Sequence, residues 1–146
     1  MTVPKTLLTG WFSFRHGEAT AGDVAALRHV QQELDAAGLP YDTAWSPGFH
    51  RHALHLARAA PKRYGNLVFV CGPLHGPQIA ALHRRYAHCL RVAVGVSVLD
   101  PHDPAVRGFH RVLPRDAPGV EPSPDLAAGA PSTGRRPVVG VVLTQG

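Results

Sequence analysis

The run Thr6-Leu-Leu-Thr-Gly-Trp-Phe12 has no useful two-residue alternation of apolar and polar side chains. A strand of that kind suits a sheet covered on both faces, as parallel sheets are. Leu67-Val-Phe-Val-Cys71 is a clearer strand, β-branched and aromatic through its centre. Arg91-Val-Ala-Val-Gly-Val-Ser-Val98 is a third apolar run. Helix signals lie between these runs and the connections are short, so the sheet is expected to be mostly parallel with right-handed crossovers.

The first crossover carries the firmest helix signal. Thr20 and Asp23 stand three apart as a capping box, and Val24, Leu27, Val30 and Leu34 share one face at helical spacing. Gly38 supplies a stop and Pro40 prevents continuation. Tyr41–Trp45 reads as a second strand, closed by Ser46-Pro47-Gly48. His50–Ala60 has helix-forming composition, with Leu54, Ala57 and Ala60 on one side and Pro61 after it. The strand Leu67–Cys71 runs into Gly72-Pro-Leu-His-Gly-Pro77, where Pro77 suits a first helical turn. Ile79, Leu82, Tyr86 and Cys89 then form a buried stripe. A turn cluster at Asp100–Pro104 and a short helix or loop precede a strand over Phe109–Leu113, which ends at Arg115-Asp116.

These elements predict a Rossmann-like, doubly wound α/β domain over residues 1–116. Residues 117–137 are dense in Pro, Gly, Ala and Ser and read as a linker. Residues 138–146 read as the first strand of a second, incomplete α/β domain.

With 146 residues there is room for one main domain, burying ~70% of the surface of its unfolded chain. The formal net charge is +5, yet only Lys5 and Lys62 among the 15 basic residues are lysine. The arginines are scattered, and Ala, Gly, Pro and His are plentiful, so the profile reads as coding bias as much as selection for a polyanion, and an anionic small substrate is favoured over nucleic acid. No nucleic-acid partner is expected. Cys71 and Cys89 lie in apolar runs without CxxC spacing, and no apolar stretch approaches ~18 residues. A cytoplasmic protein without a membrane span is the expectation.

Two loops could carry chemistry. After the first strand, Gly10 permits a close backbone approach, and Arg15 and His16 stand beside a helix start, where an anion is favoured. After the Leu67–Cys71 strand, Gly72 and Gly76 frame His75, an acid or base near neutral pH. If the two strands are neighbours, both loops open at one edge. His50, His52 and His55 lack a HExxH pattern or a completing carboxylate, so no metal is expected. No GxSxG elbow is present, and Cys71 reads as packing.

Taken in order, the segments resemble the polysaccharide pyruvyl transferase family. The resemblance rests on Thr9-Gly-Trp-Phe12, Gly22-Asp23, Val68-Phe-Val-Cys-Gly72, Gly95-Val-Ser97, Arg115-Asp116 and Pro124-Asp125-Leu126, followed by a further apolar strand. It covers nearly the whole chain. The family implies a double-Rossmann, glycosyltransferase-B-like architecture of which this domain is the first half, possessing one side of a cleft. It implies transfer of pyruvate from phosphoenolpyruvate to a sugar hydroxyl of a surface polysaccharide, without a cofactor. Protonation of the donor's methylene carbon builds an oxocarbenium-like centre, which the hydroxyl attacks before phosphate leaves. By this resemblance Gly10, Gly22, Asp23, Gly72, Arg115 and Asp116 match motif positions, and Arg15, His16 and His75 join them from their places in the loops. The expected roles are catalytic for His75, Asp23 and Asp116, and substrate-binding for Gly10, Arg15, His16, Gly22, Gly72 and Arg115. The expected partners are phosphoenolpyruvate or another anionic small molecule, a sugar acceptor and a chain supplying a complementary C-terminal domain. The alternative is a non-catalytic module binding a phosphorylated metabolite or a partner chain.

Overall fold

The computed structural model of the chain describes residues 2–129. Strands β1 (Thr6–Thr9), β2 (Tyr41–Thr43), β3 (Asn66–Pro73), β4 (Leu90–Ser97) and β5 (Arg111–Asp116) form one sheet of order β2-β1-β3-β4-β5. Every pairing is parallel, with Leu7 opposite both Asp42 and Leu67. Helices α1 (Ala21–Ala36), α2 (Pro77–Arg85) and α3 (Pro104–Arg107) occupy the crossovers after β1, β3 and β4.

Strand alternation sorts the core into two layers. Leu7, Leu67, Phe69 and Ala93 belong to one layer, with Ile79 and Leu82 of α2 and Ala105 and Val106 of α3. Leu8 and Val70 belong to the other, with Ala26 and Leu27 of α1 and half-buried Val68. Each fully buried Leu or Phe in these layers contributes about 1.5–3 kcal/mol of transfer free energy. Both faces of β3 are therefore apolar, which is why its sequence shows no alternation. The fold is α/β with a parallel sheet flanked by helices, as the runs predicted.

α1 begins as expected. The Thr20 hydroxyl accepts from the Asp23 amide (3.2 Å), and the Asp23 carboxylate accepts from the Thr20 amide (2.8 Å). α2 starts at Pro77, and its stripe Ile79, Leu82, Tyr86 and Cys89 is buried, although the helix ends at Arg85.

Three elements differ from the sequence reading. β1 stops at Thr9, and Trp11–Ser13 is a 3₁₀ turn rather than strand. His50–Ala60 is not an α-helix; it contains turns and the 3₁₀ segment Leu56–Arg58. An isolated 11-residue helix is marginal in water, and here non-local bonds hold the backbone elsewhere. The Leu54 carbonyl accepts from the Trp45 amide (2.8 Å), and the Ala59 carbonyl accepts from the buried Tyr86 hydroxyl (2.7 Å). Finally, residues 117–129, read as the start of a linker, fold back over the α1 face. There Leu126 lies against Gly95, so close that a Cβ on Gly95 would come within 2.5 Å of it. The predicted strand at 138–146 lies outside the described residues.

Candidate functional site

The strand order reverses direction between β1 and β3. From β1 the chain crosses to β2 on one side, while from β3 it crosses to β4 on the other. The connecting loops part at this switch point, leaving a crevice outside the carboxyl ends of the two strands, where open α/β sheets bind ligands. The crevice has a volume of about 400 Å³. Trp11, His16, Gly17, Glu18 and Thr20 line it from the β1 side, Asp23 from the first turn of α1, and Gly72, Pro73 and His75 from the β3 side.

Backbone conformation at the end of β3 shapes one wall. Cys71 has φ 67° and Gly72 has φ 81°, both left-handed, and Cys71 is the non-glycine residue with positive φ among the described residues. Such a conformation costs about 1–2 kcal/mol for a residue with a Cβ. It breaks the alternation of the strand, so that Val70 and Cys71 both join the α1-side layer. The chain then rises beside the β1 loop. A Cβ on Gly72 would lie 2.6 Å from Trp11 Cδ1, so only glycine allows this approach.

Trp11 locks the two loops together. Its Nε1–H donates to the Pro73 carbonyl (2.9 Å), and its ring meets Phe14 and Phe69 edge-on at centroid distances of 5.3 and 6.5 Å. The His75 ring lies 5.5 Å away, tilted 38°. Gly10 serves the same junction from below: a Cβ there would meet the Phe12 ring at 2.4 Å and the Val70 carbonyl at 2.8 Å.

The charges are arranged less simply than an anion site would require. The Asp23 carboxylate already sits on the first turn of α1, accepting from both the amide and the hydroxyl of Thr20. It thereby offsets the positive end of that helix dipole, an effect of about 0.3–1 kcal/mol. Burial, and then the neighbouring Asp23 carboxylate, push the Cys71 thiol up to about 11. Cys71 is therefore a protonated thiol at neutral pH. α2 differs from α1: its N-cap is Gly76, φ 92°, which supplies no side-chain cap.

Of the predicted site residues, His16, Asp23, Gly72 and His75 meet at the crevice. Gly10 does not line it and packs instead against Phe12 and the Val70 carbonyl. Gly22 is exposed in the first turn of α1, where a Cβ would meet only the Thr20 hydroxyl at 3.5 Å. The Arg15 side chain is exposed and does not line the crevice, while its carbonyl accepts from Ser46 (3.3 Å). Arg115 and Asp116 stand apart, at the carboxyl end of β5. There Arg115 donates to Asp116 (2.8 Å), Asp125 (3.2 Å) and Ser97 (2.9 Å). Its bond to Asp116, above all, raises the guanidinium's pKa and holds the Asp116 carboxyl below the usual carboxylate range. In this arrangement the pair fastens the returning segment to the sheet.

Sequence reasoning did not single out Trp11, Glu18 or Thr20 as lining. The Gly10-Trp11 pair was a signal for the first, because an aromatic directly after a glycine at a strand end can pack across a loop. Among the described residues no three His, Cys, Asp or Glu side chains gather to hold a metal ion, and no helix is long and apolar enough to cross a membrane.

No protein-family model matches this sequence, and no curated protein matches it. Fold and geometry therefore stand alone. They define a parallel α/β protein with a crevice at its switch point.

Proposed function

We propose that this chain contributes one wall of a pyruvyl transferase cleft, in which pyruvate passes from phosphoenolpyruvate to a sugar hydroxyl. The observation that carries the reading is the crevice itself: the first and third βα loops, both singled out by the family resemblance, share one cavity. His75 and Asp23 reach that cavity from opposite walls, one an imidazole that can donate or accept a hydrogen bond and the other a carboxylate. His16 stands beside them on the rim. Arg15 belongs to the same loop, is exposed, and would meet an anionic donor from outside the crevice.

One observation favours the non-catalytic alternative, a module that captures a phosphorylated metabolite or a partner chain. Asp23 is held in the helix cap by Thr20, which leaves it less free to handle a proton.

Calorimetry with phosphoenolpyruvate, combined with an assay for inorganic phosphate released in the presence of methyl glycosides, tests both. The transferase reading expects binding and acceptor-dependent phosphate release that falls at least tenfold in His75→Ala. Binding without release supports the module instead. Absence of phosphoenolpyruvate binding removes the transferase reading, and with it this metabolite as the ligand of a module.

A further inference from the structure

We infer that the crevice between the β1 and β3 loops takes a neutral hydroxylated ring, the sugar acceptor, and not the anionic donor. The role of acceptor rests on the transferase reading above; the binding of a neutral hydroxylated ring does not.

The first support is the Trp11 indole. It is half-buried and held rigid by its Nε1–H bond to Pro73, by edge contacts with Phe14 and Phe69, and by the Gly72 backbone. Its remaining surface lines the cavity. A rigid aromatic platform offers large contact area at little conformational cost. The C–H groups of a sugar ring complement an aromatic wall of this kind, which the indole forms together with the His75 ring, 5.5 Å away and tilted 38°.

The second support is the polar set around that platform. Glu18 and Asp23 are acceptor-only carboxylates, whereas sugar hydroxyls are donors as well as acceptors. His16 and His75 can serve in either role. Among the described residues that line the crevice there is no Arg or Lys. A phosphate or carboxylate placed there would face two like charges without a fixed cation. The start of α1 does not compensate, because Asp23 already occupies its amide end. The volume of about 400 Å³ lies at the small end of the roughly 300–1,000 Å³ range of ligand pockets, which suits one or two rings.

The test uses saturation-transfer NMR on the full chain with methyl glycosides of glucose, galactose and mannose, and separately with phosphoenolpyruvate and inorganic phosphate. Trp45→Phe leaves Trp11 as the sole tryptophan, so its fluorescence gives a second readout. The expected result is saturation of ring C–H protons in at least one glycoside, lost in Trp11→Ala. Glu18→Gln should weaken that glycoside by roughly tenfold, the scale of one hydrogen bond to a charged group. Glu18 is exposed, so this variant keeps its fold even where Trp11→Ala does not. The sign is diagnostic, because the same change would strengthen an anion. The inference is overturned if no glycoside binds, or if binding is unchanged in Glu18→Gln. It is also overturned if phosphoenolpyruvate displaces the glycoside and gains affinity in that variant, an outcome that leaves the transferase reading standing. Glycoside binding that depends on Trp11 and Glu18, without phosphate release from phosphoenolpyruvate, upholds the inference and removes the transferase reading.

Discussion

Gly72→Ala should be among the most damaging single-methyl additions in this protein, and the structure separates its cost into two parts. The backbone there has φ 81°, where an L-residue is strained by about 1–2 kcal/mol. The new methyl would also lie 2.6 Å from Trp11 Cδ1 and 3.0 Å from its Nε1. The indole cannot easily step aside, because Pro73, Phe14 and Phe69 hold it. Overpacking of that kind adds about 1–3 kcal/mol, so the total is about 2–5 kcal/mol. Gly38→Ala supplies the control: φ is 67°, but nothing lies within 4 Å of the added Cβ. It should cost only the strain. Urea unfolding measures both, with the dependence on denaturant expected to stay constant. In a Trp11→Ala background the excess cost of Gly72→Ala over Gly38→Ala should vanish, since the clashing partner is gone. Equal costs for the two glycines in the native background would refute the close approach. An excess that survives removal of Trp11 would refute its assignment to the indole.

Thr20→Ala should cost about 1 kcal/mol by removing the α1 cap, read as a lower urea midpoint. Asp23→Asn should lower the Cys71 pKa by removing the carboxylate that, after burial, does most to raise it, and alkylation of the native thiol, followed by mass spectrometry, should speed up. Burial is the larger cause and remains, so the rate should stay far below that of the unfolded chain. The His83 pKa is lowered, first by burial and further by Arg91 and His110, against the pull of its bond to the Ala105 carbonyl. The unfolded chain therefore binds the proton more readily, so this stability is complete above pH ~6.5 and is lost as pH falls below it. The slope cannot exceed about 1.4 kcal/mol per pH unit, and urea midpoints from pH 8 to 5 should flatten in His83→Gln. Arg115→Gln should loosen the returning segment at a cost below about 1 kcal/mol, since the guanidinium is partly exposed. Faster hydrogen exchange at the Ser123 and Ala128 amides would register it, and unchanged exchange would count against the fastening role.

What the chain decides locally was open to reading along its length. The α1 start needs only Thr20 and Asp23, three residues apart, and its apolar face needs only a 3.6-residue period. β3 and β4 were legible for the same reason: burial on both faces leaves a continuous apolar run. His50–Ala60 shows the limit, because its helix-forming composition yields to bonds from Trp45 and Tyr86 that no local window contains. The candidate site divides in the same way. Its two glycine-bearing loops announce themselves in sequence, but the parallel order β2-β1-β3-β4-β5 is what turns them into one crevice. Arg115 reads as a ligand for an anion until Asp116, Asp125 and Ser97 are seen around it. Trp11 reads as the tail of a strand until its indole N–H meets a carbonyl 62 residues away. Sequence by itself determined where α1, α2, β3 and β4 lie, because capping and burial periodicity act over a few residues. Tertiary structure alone decided which side chains face one another across the crevice, because that depends on strand order and on close contacts between segments far apart in the chain.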